Sequence, residues 1–424
     1  MKNIISPVKG TRDFYPKEMA VRTWLYRTLA QVSEVFGYQE YEGPILETLE
    51  LYASKSGEEL VKKQAFVFND RGGDEITLRP ELTPTLARMV AQKQGELVMP
   101  LRWWSYGPFW RYEQPQKGRT REFFQWNVDL IGVDTPEADA ELLAVIATFF
   151  QNVGLSPQEV VIKVNNRQLV DAVLTGLGIP AEKKVDVSNL IDRRDKMQPL
   201  EWQSYALEQG ISESQFAGLV AMLEDGDLWR KSDELVRLFQ ACQALGISEY
   251  VRFDPNVVRG LLYYTGTVFE AYALKGNIRR AVLGGGRYNN LLAAVGGEPL
   301  PATGFAMGDV IITLVLQELG KVPAQLGSSP AQVLVTVFDA SSLPASLVLS
   351  AELRQAGLKV ASYPEAAKLG KQFKYADRCG IRLAVVVGPD ELASNLVTVK
   401  NLADGTQQSV ARSAAAGAIL AILR

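Results

Sequence analysis

Between Arg111 and Phe123 the chain reads Arg-Tyr-Glu-Gln-Pro-Gln-Lys-Gly-Arg-Thr-Arg-Glu-Phe, its densest run of chemically able side chains. Arg111 closes an aromatic, β-branched stretch, Leu101–Trp110, where a strand end would hold it rigidly; a guanidinium fork there suits a phosphate or a carboxylate. Lys117, Arg119 and Arg121 make the loop that follows a cationic rim, fit for a triphosphate or a nucleic-acid end. A basic hairpin of this kind is, taken alone, more often ordinary solvated surface. In Thr77–Thr85, Glu81 and Thr83 stand two apart just past a strand and so on one side, although a capping turn before a helix near Leu86 has the same pattern. Arg259-Gly260-Leu261-Leu262-Tyr263-Tyr264 sets an Arg and two tyrosines beside glycines, and Gly284-Gly285-Gly286-Arg287-Tyr288 offers backbone that a ligand can approach. Lys368, Lys371 and Arg378 fall on one helical stripe, beside an apolar stripe of Leu369, Phe373 and Ala376. They are a footprint for RNA or a solvated helix face.

The chain has 424 residues and no histidine. Ser-His-Asp and Cys-His catalysis, HExxH zinc chemistry and histidine-ligated haem are therefore excluded. A general acid or base must be a carboxylate, a Lys, a Tyr or a group on the substrate. Chemistry by positioning and charge is favoured. Two cysteines, Cys242 and Cys379, make neither a disulfide framework nor a CxxC metal site, and a reducing, cytoplasmic setting is expected. No apolar run approaches a membrane span, and Met1–Tyr15 is too charged for a secretory signal. The net charge is −3, with a modest excess of Lys and Arg after Ala331 that permits a polyanionic partner there.

The elements that must position these residues follow from periodicity. An amphipathic helix is expected over Glu18–Phe36, with Gly37 as its stop. Strands are expected around Gln39–Pro44, Ala65–Asn69 and Glu75–Leu78. Leu101–Trp110 and Phe123–Ile131 read as an antiparallel pair with a long basic connection. Glu137–Val153 reads as a helix and Val160–Val164 as a strand. Residues 167–245 are helical, charged and poor in aromatics, the mark of an inserted helical subdomain. Strand character returns over Val257–Tyr272 and Arg280–Leu283. Leu-Gly-Ser-Ser-Pro at 326–330 reads as a linker. Beyond it, strands at Val333–Phe338 and Leu383–Val387 alternate with a helix at Ser346–Ala356, a small α/β domain.

Together these segments resemble the histidyl-tRNA synthetase family. The resemblance is carried by Pro7-Val8-Lys9-Gly10-Thr11-Arg12-Asp13-Phe14, Thr77–Thr83, Arg111–Asp129, Arg259–Gly266, Gly284–Leu291 and Lys368–Asp377, in order and spacing, over essentially the whole chain. It implies an α+β fold: a class II synthetase antiparallel sheet flanked by helices over residues 1–325, with a helical insertion and a C-terminal α/β anticodon-binding domain at 331–424. It implies activation of L-histidine by ATP with Mg2+, and transfer to the 3′ end of tRNA(His) by a homodimer. By position, Arg111 and Arg259 would hold the α-phosphate. Glu113, Arg119, Arg121 and Phe123 would bind ATP, while Glu81, Thr83 and Gln125 hold the ammonium. Asp129, Tyr264, Tyr263 and Tyr288, with Arg259, would bind histidine. Gln116, Lys117, Lys368, Lys371 and Arg378 would meet the tRNA.

Two positions depart from the family's pattern. Asp129 stands where Glu is common, one methylene shorter. In Gly304-Phe305-Ala306-Met307-Gly308-Asp309-Val310-Ile311, Val310 and Ile311 occupy the place of the Glu-Arg of the third class II motif; either another cation, Arg119 or Arg287, compensates, or activation is impaired. The related histidine-sensing regulatory subunit of ATP phosphoribosyltransferase is the alternative. Arg259 and the C-terminal domain favour the ligase.

Overall fold

The computed structural model describes residues 4–53, 64–116, 118–258, 264–290, 292–324, 326 and 329–423. Lys117, Arg259 and Tyr263 lie outside these. The chain divides into one unit of residues 1–13 and 25–322 and another of 14–24 and 323–424.

The first unit is built on an eight-stranded sheet, β1 (Gln39–Glu40), β5 (Leu101–Trp110), β6 (Glu122–Ile131), β11 (Ala302–Gly308), β10 (Leu283–Arg287), β9 (Thr267–Ala273), β7 (Val160–Asn166) and β8 (Val251–Phe253), in that order. A smaller antiparallel sheet joins β2 (Leu46–Thr48), β4 (Glu75–Leu78) and β3 (Phe66–Asn69). The long pair β5–β6 is antiparallel from Leu101↔Ile131 to Trp110↔Glu122. Alternation assigns its faces: Phe123, Gln125, Asn127 and Asp129 share the front, and Phe124, Trp126, Val128 and Leu130 the back.

The back face carries the core. The helix Pro136–Asn152 starts on Thr135, whose side chain accepts from Ala138 N, with Pro136 pre-set for the first turn. Leu142, Leu143, Val145, Ile146, Ala147 and Phe149 of this helix are all fully buried. A stretch apolar all round, as Leu142–Ala147 is, must lie inside. It lies between the sheet, where the rings of Phe149 and Trp126 are 5.6 Å apart, and the helix Asp233–Ala244. Trp126 also meets Phe305 edge-on at 4.9 Å and donates to Ser33 Oγ at 3.1 Å.

Strands β7 and β8 are parallel, so the chain between them must cross over the sheet. The inserted helices Arg167–Gly176, Lys184–Arg193, Pro199–Glu208, Glu213–Glu224 and Asp233–Ala244 supply that crossover. Two expectations need correction. Of Val257–Tyr272, strand begins at Thr267; the described residues before it, 257–258 and 264–266, are not strand. The strand expected at Arg280–Leu283 instead runs Leu283–Arg287, with Gly284, Gly285 and Gly286 inside it. Glycine suits this strand because neighbouring strands and Tyr264 press too closely on Gly285 and Gly286 for a side chain.

In the second unit β13 (Val360–Ser362), β12 (Val333–Val335), β14 (Leu383–Val386), β15 (Leu396–Asn401) and β16 (Gln407–Ala411) form one sheet, parallel across the first three and antiparallel across the last two pairs. The helix Leu369–Arg378 turns Ala376 and Gln372 inward. Gln372 is fully buried and satisfied: it accepts from Val337 N at 3.0 Å and donates to Val337 O and Ala367 O, both at 2.7 Å. Lys368, Lys371 and Arg378 remain exposed, and Lys371 pairs with Glu365 at 3.0 Å.

Candidate active site

The polar front of β6 is where the residues expected to act on substrate gather. Asp129 is 6% exposed, and its carboxylate accepts a short hydrogen bond from the Tyr288 hydroxyl. Asp129 can lean over β11 only because residue 304 is Gly; a Cβ there would collide with Asp129 Oδ1. Tyr264 lies against β10 in the same way, since a Cβ on Gly286 would come within 2.9 Å of its ring. Burial pushes the Asp129 carboxyl up to about 7, and the Tyr288 hydrogen bond works against that rise. Burial and the nearby Asp129 charge hold the Tyr264 phenol well above its ordinary value, so it stays protonated at neutral pH. One carboxyl and two phenols thus form a buried set of donors and acceptors. Such a set can pair both nitrogens of an imidazole and leaves buried groups unpaired with an apolar ligand.

Two neighbours escaped sequence reasoning. The Tyr41 hydroxyl is buried with no hydrogen-bond partner among the described residues, and it feels the Asp129 charge. Nothing in the sequence marks it, because only the pairing of β1 with β5 brings it there, its ring 5.2 Å from that of Trp103, the register partner of Asp129. Asn127, whose buried amide nitrogen has no partner among the described residues, was legible from the two-residue period linking Gln125 to Asp129.

Arg111 sits at the other end of this face. Its Nε donates to Pro80 O at 3.0 Å, and its guanidinium carbon is 5.5 Å from the centre of the Phe123 ring. These contacts fix the fork. Pro80 is held in turn by Arg79, another unanticipated residue. Arg79 is fully buried, pairs closely with Glu42, donates to Pro108 O and Gly43 O at 3.0 Å each, and lies 4.5 Å from the Phe109 ring centre. Glu81 follows directly, its carbonyl accepting from the Tyr52 hydroxyl at 3.2 Å, and Thr83 opens the helix Thr83–Lys93.

Arg111, Glu113, Arg119, Phe123 and Gln125 line a cavity of about 960 Å³, together with Val310, Ile311, Arg279 and Arg280. Arg119 pairs with Glu113 at 2.7 Å, and Gln116 and Arg119 bond backbone to backbone across the loop turn. Arg121 is not among the lining residues. Its guanidinium lies 4.2 Å from the Tyr112 ring centre, its Nε donates to Glu113 O, and its backbone N–H donates to Gly10 O.

Arg287 does not compensate for the missing third-motif Arg. It is 5% exposed and bonded to Asp139, Asp134, Val133 O and Thr135 O. Strand alternation turns it, like Gly285, to the back of the sheet. The third segment does structural work instead. Asp309 accepts from Arg12 Nη2 and from Phe124 N, each at 2.8 Å, tying the N-terminal segment to β6.

A mostly antiparallel sheet with helices behind, a fixed Arg at a strand end and a polar pocket on the same face are the architecture that the resemblance to class II synthetases implies. The description "Histidyl-tRNA synthetase" matches residues 10–308, and "Anticodon binding domain" matches residues 332–422. The chain belongs to the histidyl-tRNA synthetase family. It is 39% identical to the chloroplastic/mitochondrial histidine–tRNA ligase of Arabidopsis thaliana, over 96% of this chain and 85% of that one. It is 39% identical to the histidine–tRNA ligase of Haloarcula marismortui, over 97% and 96%. The crystal structure of histidyl-tRNA synthetase from Nostoc sp. PCC 7120 superposes with a TM-score of 0.86 at 27% identity, covering 99% of both chains. A Bacillus halodurans structure described as an ATP phosphoribosyltransferase regulatory subunit/histidyl-tRNA synthetase shares the fold, with a TM-score of 0.76 at 22% identity.

Proposed function

We propose that this chain is a histidine–tRNA ligase. A histidine carboxylate oxygen attacks the α-phosphorus of ATP and pyrophosphate leaves. The terminal ribose hydroxyl of tRNA(His) then attacks the histidyl carbonyl and AMP leaves. The observation that carries this reading is the front of β6, where Phe123, Gln125 and Asp129 follow at a two-residue period. One strand thereby offers an adenine-side ring, an amino-side amide and an imidazole-side carboxyl along a line about 20 Å long. Arg111 and Arg259 stabilise charge at the α-phosphate, a role that suits guanidinium groups held in place beforehand. Glu113, Arg119, Arg121 and Phe123 serve ATP; Glu81, Thr83 and Gln125 hold the ammonium; Asp129, Tyr263, Tyr264 and Tyr288 read the ring.

Mg2+ enters with ATP. Such an ion keeps several waters and is held largely by the phosphate oxygens it neutralises. Gln116 and Lys117 face the acceptor end of the tRNA, and Lys368, Lys371 and Arg378 its anticodon region. The catalytic domain runs over 1–325, with the insertion at about 167–245, and the anticodon-binding domain over 331–424. A cytoplasmic homodimer is the working form; among the described residues no helix is long and apolar enough to cross a membrane.

The test is histidine-dependent ATP–pyrophosphate exchange, with Arg259→Ala as control. Exchange that requires histidine and collapses in the control is the expected result. Intact histidine binding without exchange would instead favour the histidine-sensing alternative.

A further inference from the structure

We propose that Arg279 and Arg280 bind the β- and γ-phosphates of ATP and supply the cationic charge that the helix beginning at Asp309 lacks. The proposal rests on the ligase reading and names two residues within it.

Both arginines line the cavity that also holds Arg111, Phe123, Val310 and Ile311. Three other cations of that cavity already have carboxylate partners: Arg119 pairs with Glu113 at 2.7 Å, Lys163 with Asp254 at 2.7 Å and Lys196 with Asp192 at 2.9 Å, while Arg111 donates to Pro80 O. A triphosphate entering there must share these three charges with their carboxylates. Arg279 and Arg280 have no carboxylate partner among the described residues. They also carry planar forks that match phosphate oxygens two at a time.

The loop bearing them is anchored. Asn277 donates to Glu318 Oε1 through both its backbone N–H, at 2.8 Å, and its side-chain amide, at 2.6 Å. Ile278 is buried, and beyond the arginines Val282 N donates to Ala271 O at 2.7 Å. Glu318 is the last residue of the helix Asp309–Glu318, whose first turn presents Val310 and Ile311 to the cavity. One helix thus offers no cation from its first turn and holds in place, from its last residue, the loop that offers two. Holding them in place spares ATP part of the ordering cost of binding.

The test compares ATP and AMP binding to the full chain, wild type against Arg279→Ala/Arg280→Ala, alongside exchange kinetics. Removing charge-assisted bonds to the outer phosphates is expected to weaken ATP binding roughly 10- to 100-fold, with AMP binding unchanged. Exchange should fall through the KM for ATP while the KM for histidine holds. Lysines at both positions should restore part of the ATP affinity, and because they keep the loop's charge and length they also control for folding.

Equal losses of ATP and AMP affinity would mean the arginines stack on adenine and would overturn the proposal. So would unchanged ATP binding with a loss of tRNA charging alone, which would assign them to the RNA acceptor end. If the wild type binds ATP more tightly than AMP through these residues yet shows no histidine-dependent exchange, the ligase reading fails and the phosphate assignment stands.

Discussion

Asp129 is the residue whose chemistry is most exposed to experiment. Its carboxyl titrates at an ordinary 3.8 when unfolded and near 7 in the fold, because burial penalises the charged form. The folded chain therefore holds an extra proton between those values, and this group's contribution to stability is full below about 3.8 and lost as pH rises through 7. Ligand recognition has the opposite sign, because an imidazole N–H needs the ionised acceptor. In exchange assays kcat/KM for histidine should fall as pH drops from 8 to 6, with an enzyme group near 7, since this parameter reports the free enzyme. Asp129→Asn should keep only the titration of histidine itself, whose side chain ionises near ~6.5. Tyr288→Phe should move the inflection upward, because the lost hydrogen bond favours the carboxylate. An inflection unmoved in both variants would remove Asp129 from this role.

At the scale of elements, β6 is a two-sided strand, and each face depends on what supports the other. Its front is polar because the back is packed: Trp126 fills the space between Phe149, Phe305 and the buried Ser33 hydroxyl. Trp126→Ala should cost about 3–5 kcal/mol in denaturant unfolding. It should also lower exchange activity in the fraction still folded, because Gln125 and Asn127 flank it on the strand. A loss under roughly 1 kcal/mol, well below that range, would mean the back face can repack and the front does not rely on it. The glycines of β10 and β11 belong to the same design, giving up side chains for the close approach of Asp129 and Tyr264.

For the whole molecule, the second of the two units carries the match to an anticodon-binding domain, at residues 332–422. Replacing Lys368, Lys371 and Arg378 together by Ala should raise the KM for tRNA about tenfold near physiological salt and flatten its salt dependence. Pyrophosphate exchange should be untouched. Equal loss of exchange and charging would show that these side chains stabilise the fold rather than meet the tRNA. Lys371, already paired with Glu365, should contribute least of the three.

Much of this was legible in one dimension. The antiparallel pair around Arg111, the helix after it, the helical insertion and the α/β C-terminal unit follow from two-residue and 3.6-residue periods, which depend only on neighbours along the chain. So does the line Phe123, Gln125, Asp129, and the family motifs carried the identity. Only the tertiary structure turned Arg287 to the back of the sheet, where Asp139 and Asp134 claim it, and brought Arg279 and Arg280 to the cavity. Only the pairing of distant strands carried Tyr41 to Asp129 and locked Arg79 among Glu42, Pro108 and Phe109. A charged side chain's partner is set by which strands adjoin and which face it occupies, and neither is encoded by local spacing.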